Sequence, residues 1–221
     1  LLAIQSFLDE ESNTDFFILR GAAGTGKTSI ISAVVGFLNN SSKPFKIAAP
    51  TGRAARIIGK KTNNASTTIH SMIYIPESNG KTGVVSFKLK FKLDQKPCLY
   101  IIDEASMIAD YAQQQDGSIT SRSVLNDLIE YVYSGVDCAL ILIGDEGQLP
   151  PVGSDYSPAL DKRFLTQTFF GVKLFETRLT EVVRLSLDSD ILLNSFNIRN
   201  YEGKSFPKIE THKGGDVEVI F

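Results

Sequence analysis

Short apolar runs alternate along this chain with stripes of helical period. Phe16-Phe17-Ile18-Leu19-Arg20 has strand character. Beyond a glycine-rich turn, Ile30, Ile31, Val34, Val35 and Leu38 recur at helical spacing until Asn39-Asn40-Ser41-Ser42 ends the helix. Lys46-Ile47-Ala48-Ala49 reads as a second buried strand stopped by Pro50, and Arg53 to Lys60 as a short helix. Leu99 to Ile102 and Ala139 to Ile143 read as a third and a fourth core strand. Between them Val124, Leu125, Leu128, Ile129 and Val132 form an apolar stripe suited to core packing. Residues 2–8 read as the end of a helix. Ser189 to Arg199 reads as another, capped by Asp188 or Ser189, and Val217 to Phe221 as the start of a strand. Continuous apolar strands alternating with helices predict an α/β fold with a parallel sheet and helices on both faces.

One stretch breaks the pattern. Pro76-Glu77-Ser78-Asn79-Gly80-Lys81-Thr82-Gly83 is rich in turn residues. Val84 to Leu93 then alternates apolar residues with Ser or Lys, which predicts a small β insert with one basic face. The chain thus divides into an α/β domain of residues 1–75 and 98–221 and a β insert of residues 76–97. Residues 111–122 are polar and read as a loop, as do the Pro- and Gly-rich residues 147–158.

At 221 residues, 43% hydrophobic and 22% charged, the chain has the profile of a globular protein with one large core. No apolar run approaches the ~18 residues of a spanning helix, so no membrane partner is expected. The opening Leu1-Leu2-Ala3-Ile4 has no basic segment before it and no initiator Met, so no secretory leader is expected. Cys98 and Cys138 each edge an apolar run, where they read as small buried hydrophobes; the expected setting is cytoplasmic. A net charge of −2 lends bulk support to no nucleic-acid partner, so any such binding must come from a local groove.

The chemistry concentrates at strand ends. Gly21-Ala22-Ala23-Gly24-Thr25-Gly26-Lys27-Thr28 follows a strand and opens a helix, the context a phosphate-binding loop requires. Its glycines let backbone N–H groups converge on phosphate oxygens, and the helix dipole adds positive charge there. Residues 21–29, through Ser29, are the candidate ATP-binding segment; Lys27 reaches the β and γ phosphates and Thr28 supplies a hydroxyl to Mg²⁺. Leu99 to Ile102 ends in Asp103-Glu104. Asp103 is the candidate second Mg²⁺ ligand and Glu104 the candidate general base. In isolation two acids at a strand end are merely solvated; beside a phosphate loop they suit hydrolysis. Gln148, followed by Leu149-Pro150-Pro151, is placed to donate to a γ-phosphate or orient water.

Taken together these segments resemble the superfamily 1 DNA helicases, in the RecD/Dda branch. Residues 21–28 are similar to motif I, Ala49 to Ala55 to motif Ia, and Ser66 to Ser71 to the segment that follows it. Ile102 to Met107 is similar to motif II, Gly144 to Gly153 to motif III and Leu179 to Arg184 to motif IV. The resemblance implies the first of two RecA-like domains, joined to a second RecA-like domain of the same chain. It implies ATP-driven translocation on single-stranded DNA, 5′-to-3′ in this branch, in repair, recombination or replication. It implies that Pro50, Thr51, Gly52, Arg53, Thr68 and His70 touch DNA, that Gln148 couples ATP to DNA and that Arg184 reaches the γ-phosphate. It likens the insert to a strand-separating pin or its support, with Lys88, Lys90 and Lys92 facing a phosphate strand. The blander alternatives are a solvated sheet face for those lysines and a structural imidazole for His70. In two respects the chain departs from the pattern: Gln5 lies too near the phosphate loop to be the branch's adenine-reading Gln, and motifs V and VI are not seen. Low activity is therefore expected of these residues alone. The competing function is a P-loop NTPase switch or assembly factor that does not translocate; a DNA-binding module without catalysis leaves Lys27 and Glu104 unused.

Overall fold

The computed structural model describes residues 2–8, 16–78, 85–90, 97–111, 114–115, 118–119, 123–181, 190–199 and 209–211. In chain order these form α1 (Leu2–Leu8), β1 (Phe16–Gly21), α2 (Lys27–Asn40), β2 (Phe45–Ala49), α3 (Gly52–Thr62), β3 (Ser66–Thr68), α4 (Ile69–Ile73), β4 (Tyr74–Ser78) and β5 (Val85–Leu89). There follow β6 (Leu99–Ile102), β7 (Gln114–Gln115), β8 (Ser118–Ile119), α5 (Val124–Tyr133), β9 (Ala139–Gly144), α6 (Lys162–Thr168), β10 (Leu174–Leu179) and α7 (Asp190–Arg199).

Six strands make one sheet in the order β10-β1-β9-β6-β2-β3, every pairing parallel. Alternation within each strand feeds two cores. Phe16, Ile18, Tyr100, Ile102, Leu140 and Leu142 pack on one face against α4, α5 and Leu165 of α6. Phe17, Leu19, Ile47, Ile101, Ile141 and Ile143 pack on the other against Ile31, Val34, Val35 and Leu38 of α2, Ile58 of α3, and Ile4 and Phe7 of α1. Each such side chain removed from water contributes about 1.5–3 kcal/mol, so both faces hold the sheet firmly. This is the expected α/β architecture, a parallel sheet with helices on both faces.

Two sheet strands were not expected. β3 is three polar, half-buried residues, and β10 is a half-exposed Leu-Phe-Glu-Thr-Arg-Leu run; both lie at sheet edges, where burial on two faces does not force an apolar sequence. Pro76-Glu77-Ser78 is strand rather than turn, since β4 begins at Tyr74 and pairs antiparallel with β5. Proline is tolerated because β4 belongs to a two-stranded sheet and has one free edge. The polar stretch expected as loop contains the short antiparallel pair β7 and β8. The caps at Asp188 or Ser189 and the strand at 217–221 lie outside the described residues.

The insert is rooted on α4 and α5. Tyr74 donates its hydroxyl to Asp127 Oδ2 at 2.6 Å inside the core, where Asp127 is 4% exposed. Lys90 Nζ donates to the carbonyls of Ser71 and Met72 at 2.6 and 3.3 Å, so this lysine closes the end of α4 instead of facing a phosphate strand. Lys88 pairs with Glu77 at 3.5 Å on the exposed surface, and Lys92 lies outside the described residues. Tyr74→Phe is expected to cost about 1–3 kcal/mol, because it takes a donor from a buried carboxylate without changing shape. Urea unfolding checks this; an unchanged midpoint shows that Asp127 is satisfied without Tyr74.

Candidate functional site

Every candidate segment leaves the same edge of the sheet. Arg20 of β1 is in register with Gly144 of β9, and Ile102 of β6 with Leu142 of β9. Ala48 of β2 is in register with Ile102, and Ala49 with Thr68 of β3. The phosphate-type loop, Asp103-Glu104, Asp145 to Gln148, Pro50-Thr51 and Thr68 to His70 therefore share the carboxyl edge, where parallel sheets form their crevices. β9 stands between β1 and β6, so the glycine loop and the acidic pair are two strand spacings apart, about 10 Å, enough for a triphosphate between them.

In the loop, Gly24 and Gly26 adopt φ of 82° and 89°, which other residues reach only with strain. Gly21 allows the close approach: a Cβ there would lie 2.5 Å from Thr25 Oγ1 and 3.0 Å from Leu179 Cβ. Thr25 is buried and donates Oγ1 to the Ala22 carbonyl at 2.8 Å. Lys27 Nζ donates to the carbonyls of Gly21 and Ala22 at 2.7 and 2.9 Å, which sets the ammonium over the loop. Ala22, Ala23, Thr28 and Ser29 complete the turn into α2, whose Gly26 cap has no side-chain hydrogen bond, so a bound anion has room to take that place.

Across from the loop, burial raises the Asp103 carboxyl above its ordinary range, against the pull of the Glu104 N–H, Lys27 and Lys61. Burial, then Asp103, and further Asp145, raise Glu104, while Lys27 and Lys61 oppose them. Glu104 holds φ 54°, ψ 38°, the left-handed region, at a backbone cost of about 1–3 kcal/mol. Its Oε2 is buried with no hydrogen-bond partner. Strain, crowded negative charge and an unpartnered oxygen mark a carboxylate arranged for something other than stability.

Asp145 is buried and accepts from the Gly147 N–H at 2.9 Å, forming the turn that presents half-buried Gln148. Gly144 makes the turn possible, since a Cβ would lie 2.7 Å from Leu160 Cδ1 and 3.0 Å from the Ser106 N. The next residue, Glu146, accepts from Arg20, whose guanidinium also donates to Glu176 of β10. Arg178 joins Glu146 at 3.9 Å. This network ties the strand below the glycine loop to the Gln148 turn, and sequence reading missed it. The available signal was a charged Arg20 ending an otherwise apolar strand.

Pro50, Thr51 and His70 meet Pro150, Pro151 and Val152 around a groove of about 210 Å³, floored by Ile69, Ile108 and Val124. Met107 and Val152 are exposed there, and Tyr111 donates to the Val152 carbonyl, bracing the Pro-Pro loop. Thr51 caps α3 and Thr68 caps α4 by accepting N–H groups of Ala54 and Ser71 at 3.2 and 3.1 Å. His70 is half-buried, its ring 5.5 Å from that of Tyr74, and burial lowers its pKa, so the imidazole is neutral at neutral pH. Of the residues expected on DNA, Pro50, Thr51 and His70 line the groove; Gly52 and Arg53 are exposed beside it at the start of α3, and Thr68 is spent on its cap. Gln5 is exposed on α1. Arg184 lies outside the described residues. Among the described residues no group of three or more His, Cys, Asp or Glu side chains is arranged to hold a metal, and no helix is long and apolar enough to cross a membrane.

The AAA domain family matches residues 5–154. The ATP-dependent RecD2 DNA helicase of Deinococcus radiodurans is 29% identical over 66% of this chain and 18% of its own length. The ATP-dependent DNA helicase dda of Enterobacteria phage T4 is 29% identical over 75% of this chain and 34% of its own. The ATP-dependent DNA helicase Pif1 of a Psychrobacter species is 29% identical over 68% and 22%. The chain thus spans about a third or less of these relatives. The crystal structure of Pif1 helicase from Candida albicans is similar over 80% of this chain and 38% of that one, at 19% identity and a TM-score of 0.44.

Proposed function

The chain belongs to the AAA domain family, with relatives among the superfamily 1 helicases of the RecD/Dda type, and on that premise we propose that it is the first RecA-like motor domain of an ATP-driven DNA helicase. The observation that carries this reading is the shared carboxyl edge, where the Lys27 loop, the Asp103-Glu104 pair and the Gln148 turn surround one crevice and the same Gln148 loop forms a wall of the Pro50–His70 groove.

The residues present fit ATP with Mg²⁺. Lys27 sits over a loop whose glycine backbone is already bent for phosphate, and Asp103, Glu104 and Asp145 crowd negative charge opposite it, which Lys27 and Lys61 offset only in part. Thr28 and Asp103 would hold the ion, which prefers few protein ligands with phosphate and water completing its shell. When bound, Mg²⁺ supplies charge neutralisation at the β and γ oxygens. Loop N–H groups and Lys27 bind the phosphates. Glu104, with an unpartnered oxygen, accepts the proton of the attacking water. Gln148 and Arg184 respond to the γ-phosphate.

The groove holds the nucleic acid. Pro50, Thr51 and the neutral His70 offer apolar surface and hydrogen bonds, and Gly52, Arg53 and Thr68 flank them. Because Gln148 and Pro150-Pro151 belong to one loop, loss of the γ-phosphate is felt at the groove within two residues. Stepping, 5′-to-3′ by resemblance, requires opening and closing against a second RecA-like domain of the parent chain, and the service is DNA repair, recombination or replication inside the cell.

The test is ATP hydrolysis by the full-length parent with and without single-stranded DNA. Stimulation of at least about tenfold is expected, since correct positioning of one catalytic group is worth that and more. A brisk rate indifferent to both DNA and RNA would leave the nucleotide chemistry standing and replace the motor with a switch or assembly factor.

A further inference from the structure

We propose that the exposed cationic face of α3 continues the nucleic-acid track beyond the groove, with Arg56 and Lys60 binding phosphates of a single DNA strand that Arg53 receives first. This rests on the motor reading above and names a surface that reading does not use.

α3 reads Gly-Arg-Ala-Ala-Arg-Ile-Ile-Gly-Lys-Lys-Thr, four cations and no acid, in a chain whose net charge is −2. Arg53, Arg56 and Lys60 stand at i, i+3 and i+7, which places them within an arc of about 60° on one side of the helix. The opposite side buries Ala55 and Ile58, and all three cations are exposed. Among the described residues none of them has an ion-pair partner.

Helix stability does not account for the stripe. Lys60 and Lys61 lie in the last turn, where a cation complements the helix dipole. Arg53 lies in the first turn, where a cation opposes it, and no acid is present there to compensate. Arg56 follows one turn later with no i+4 acid to meet, since that position is Lys60. A helix that sets its cations against its own dipole and against one another is arranged for an external polyanion. Lys61 is separate, because its charge acts on Asp103 and Glu104.

Position supplies the second argument. α3 is capped by Thr51, a wall of the groove, and Arg53 to Lys60 covers about 10 Å along the axis. A strand leaving the groove past Pro50 and Thr51 meets this row before any acidic residue of α3, for there is none.

The experiment measures binding of the full-length parent and of an Arg56→Gln/Lys60→Gln double variant to single-stranded DNA over a salt series. Each phosphate contact on a single strand adds about 0.7 to the slope of log K against log salt. The double variant should bind about tenfold more weakly at low salt, with a slope shallower by roughly 1.4. Its melting temperature should match the parent's, and Arg56→Lys should keep the parental slope. An unchanged slope in the double variant, with the parent binding normally, overturns the α3 track and leaves the motor reading intact. A parent that binds no nucleic acid overturns both. Loss of duplex binding alone, with single-strand affinity retained, assigns the stripe to duplex and overturns the proposal as stated.

Discussion

Glu104→Gln in the full-length parent is expected to lower ATP turnover about a thousandfold while nucleotide binding survives. The amide keeps the size and the strained backbone but cannot accept the proton of an attacking water. Binding rests on the glycine loop and Lys27, which the substitution does not touch. Rapid-quench turnover and equilibrium binding of a nucleotide separate the two effects. Parallel losses in both would mean that Glu104 holds the site together and is not the proton acceptor.

The same substitution carries a second, opposite signature. Burial, Asp103 and Asp145 raise the Glu104 carboxyl, with Lys27 and Lys61 opposing. An acid whose pKa is raised on folding favours the folded state when protonated. Its contribution is present below the ordinary glutamate pKa, about 4.3, and is lost as pH rises through the raised folded value. At neutral pH and without divalent cation, the ionised carboxylate therefore opposes folding, and Gln removes that opposition. The inactive variant should melt higher than the parent at pH 7 in chelator, with the gap closing toward pH 4. A gap independent of pH would mean that charge crowding is not its cause.

What was legible in the sequence divides along physical lines. β1, β2, β6 and β9 are buried on both faces, which forces continuous apolar runs, and their positions were readable. The glycine loop was readable because the need for positive φ at Gly24 and Gly26 is local. Asp103 and Glu104 were readable as the break in an apolar run. β3 and β10 were not, because an edge strand can be polar and half exposed. Nor was the link from Arg20 to Glu146 and Glu176, which exists only because β10 and β9 flank β1. Lys90 shows the limit of periodicity: alternation placed it on a basic face, while its length and flexibility let it reach the carbonyls of α4. The grouping of Pro50, Thr51 and His70 with Pro150 and Pro151 likewise depends on strand order, not on spacing.

Lys27→Ala should abolish nucleotide binding at concentrations that saturate the parent. The ammonium donates to the Gly21 and Ala22 carbonyls at 2.7 and 2.9 Å, so it is held over the loop mouth, and incoming phosphate oxygens are stronger acceptors than those carbonyls. A charge-assisted hydrogen bond contributes about 1.5–3 kcal/mol, so two contacts to the β and γ phosphates weaken binding roughly 10²- to 10⁴-fold when removed. The loop itself should persist, because Gly24, Gly26 and the Thr25 bond to Ala22 set its shape. Without nucleotide, the variant should be less stable than the parent by only about 1 kcal/mol, since it loses two carbonyl hydrogen bonds and the charge that offsets Asp103 and Glu104. With saturating ATP and Mg²⁺ the parent should gain about 2.7 kcal/mol at a hundred times its Kd, and the variant almost nothing. Thermal melts of both proteins across an ATP series read this directly. Comparable upward shifts in parent and variant would mean that Lys27 serves only the loop carbonyls, and the crevice between β1 and β6 would lose its main charge for holding a triphosphate.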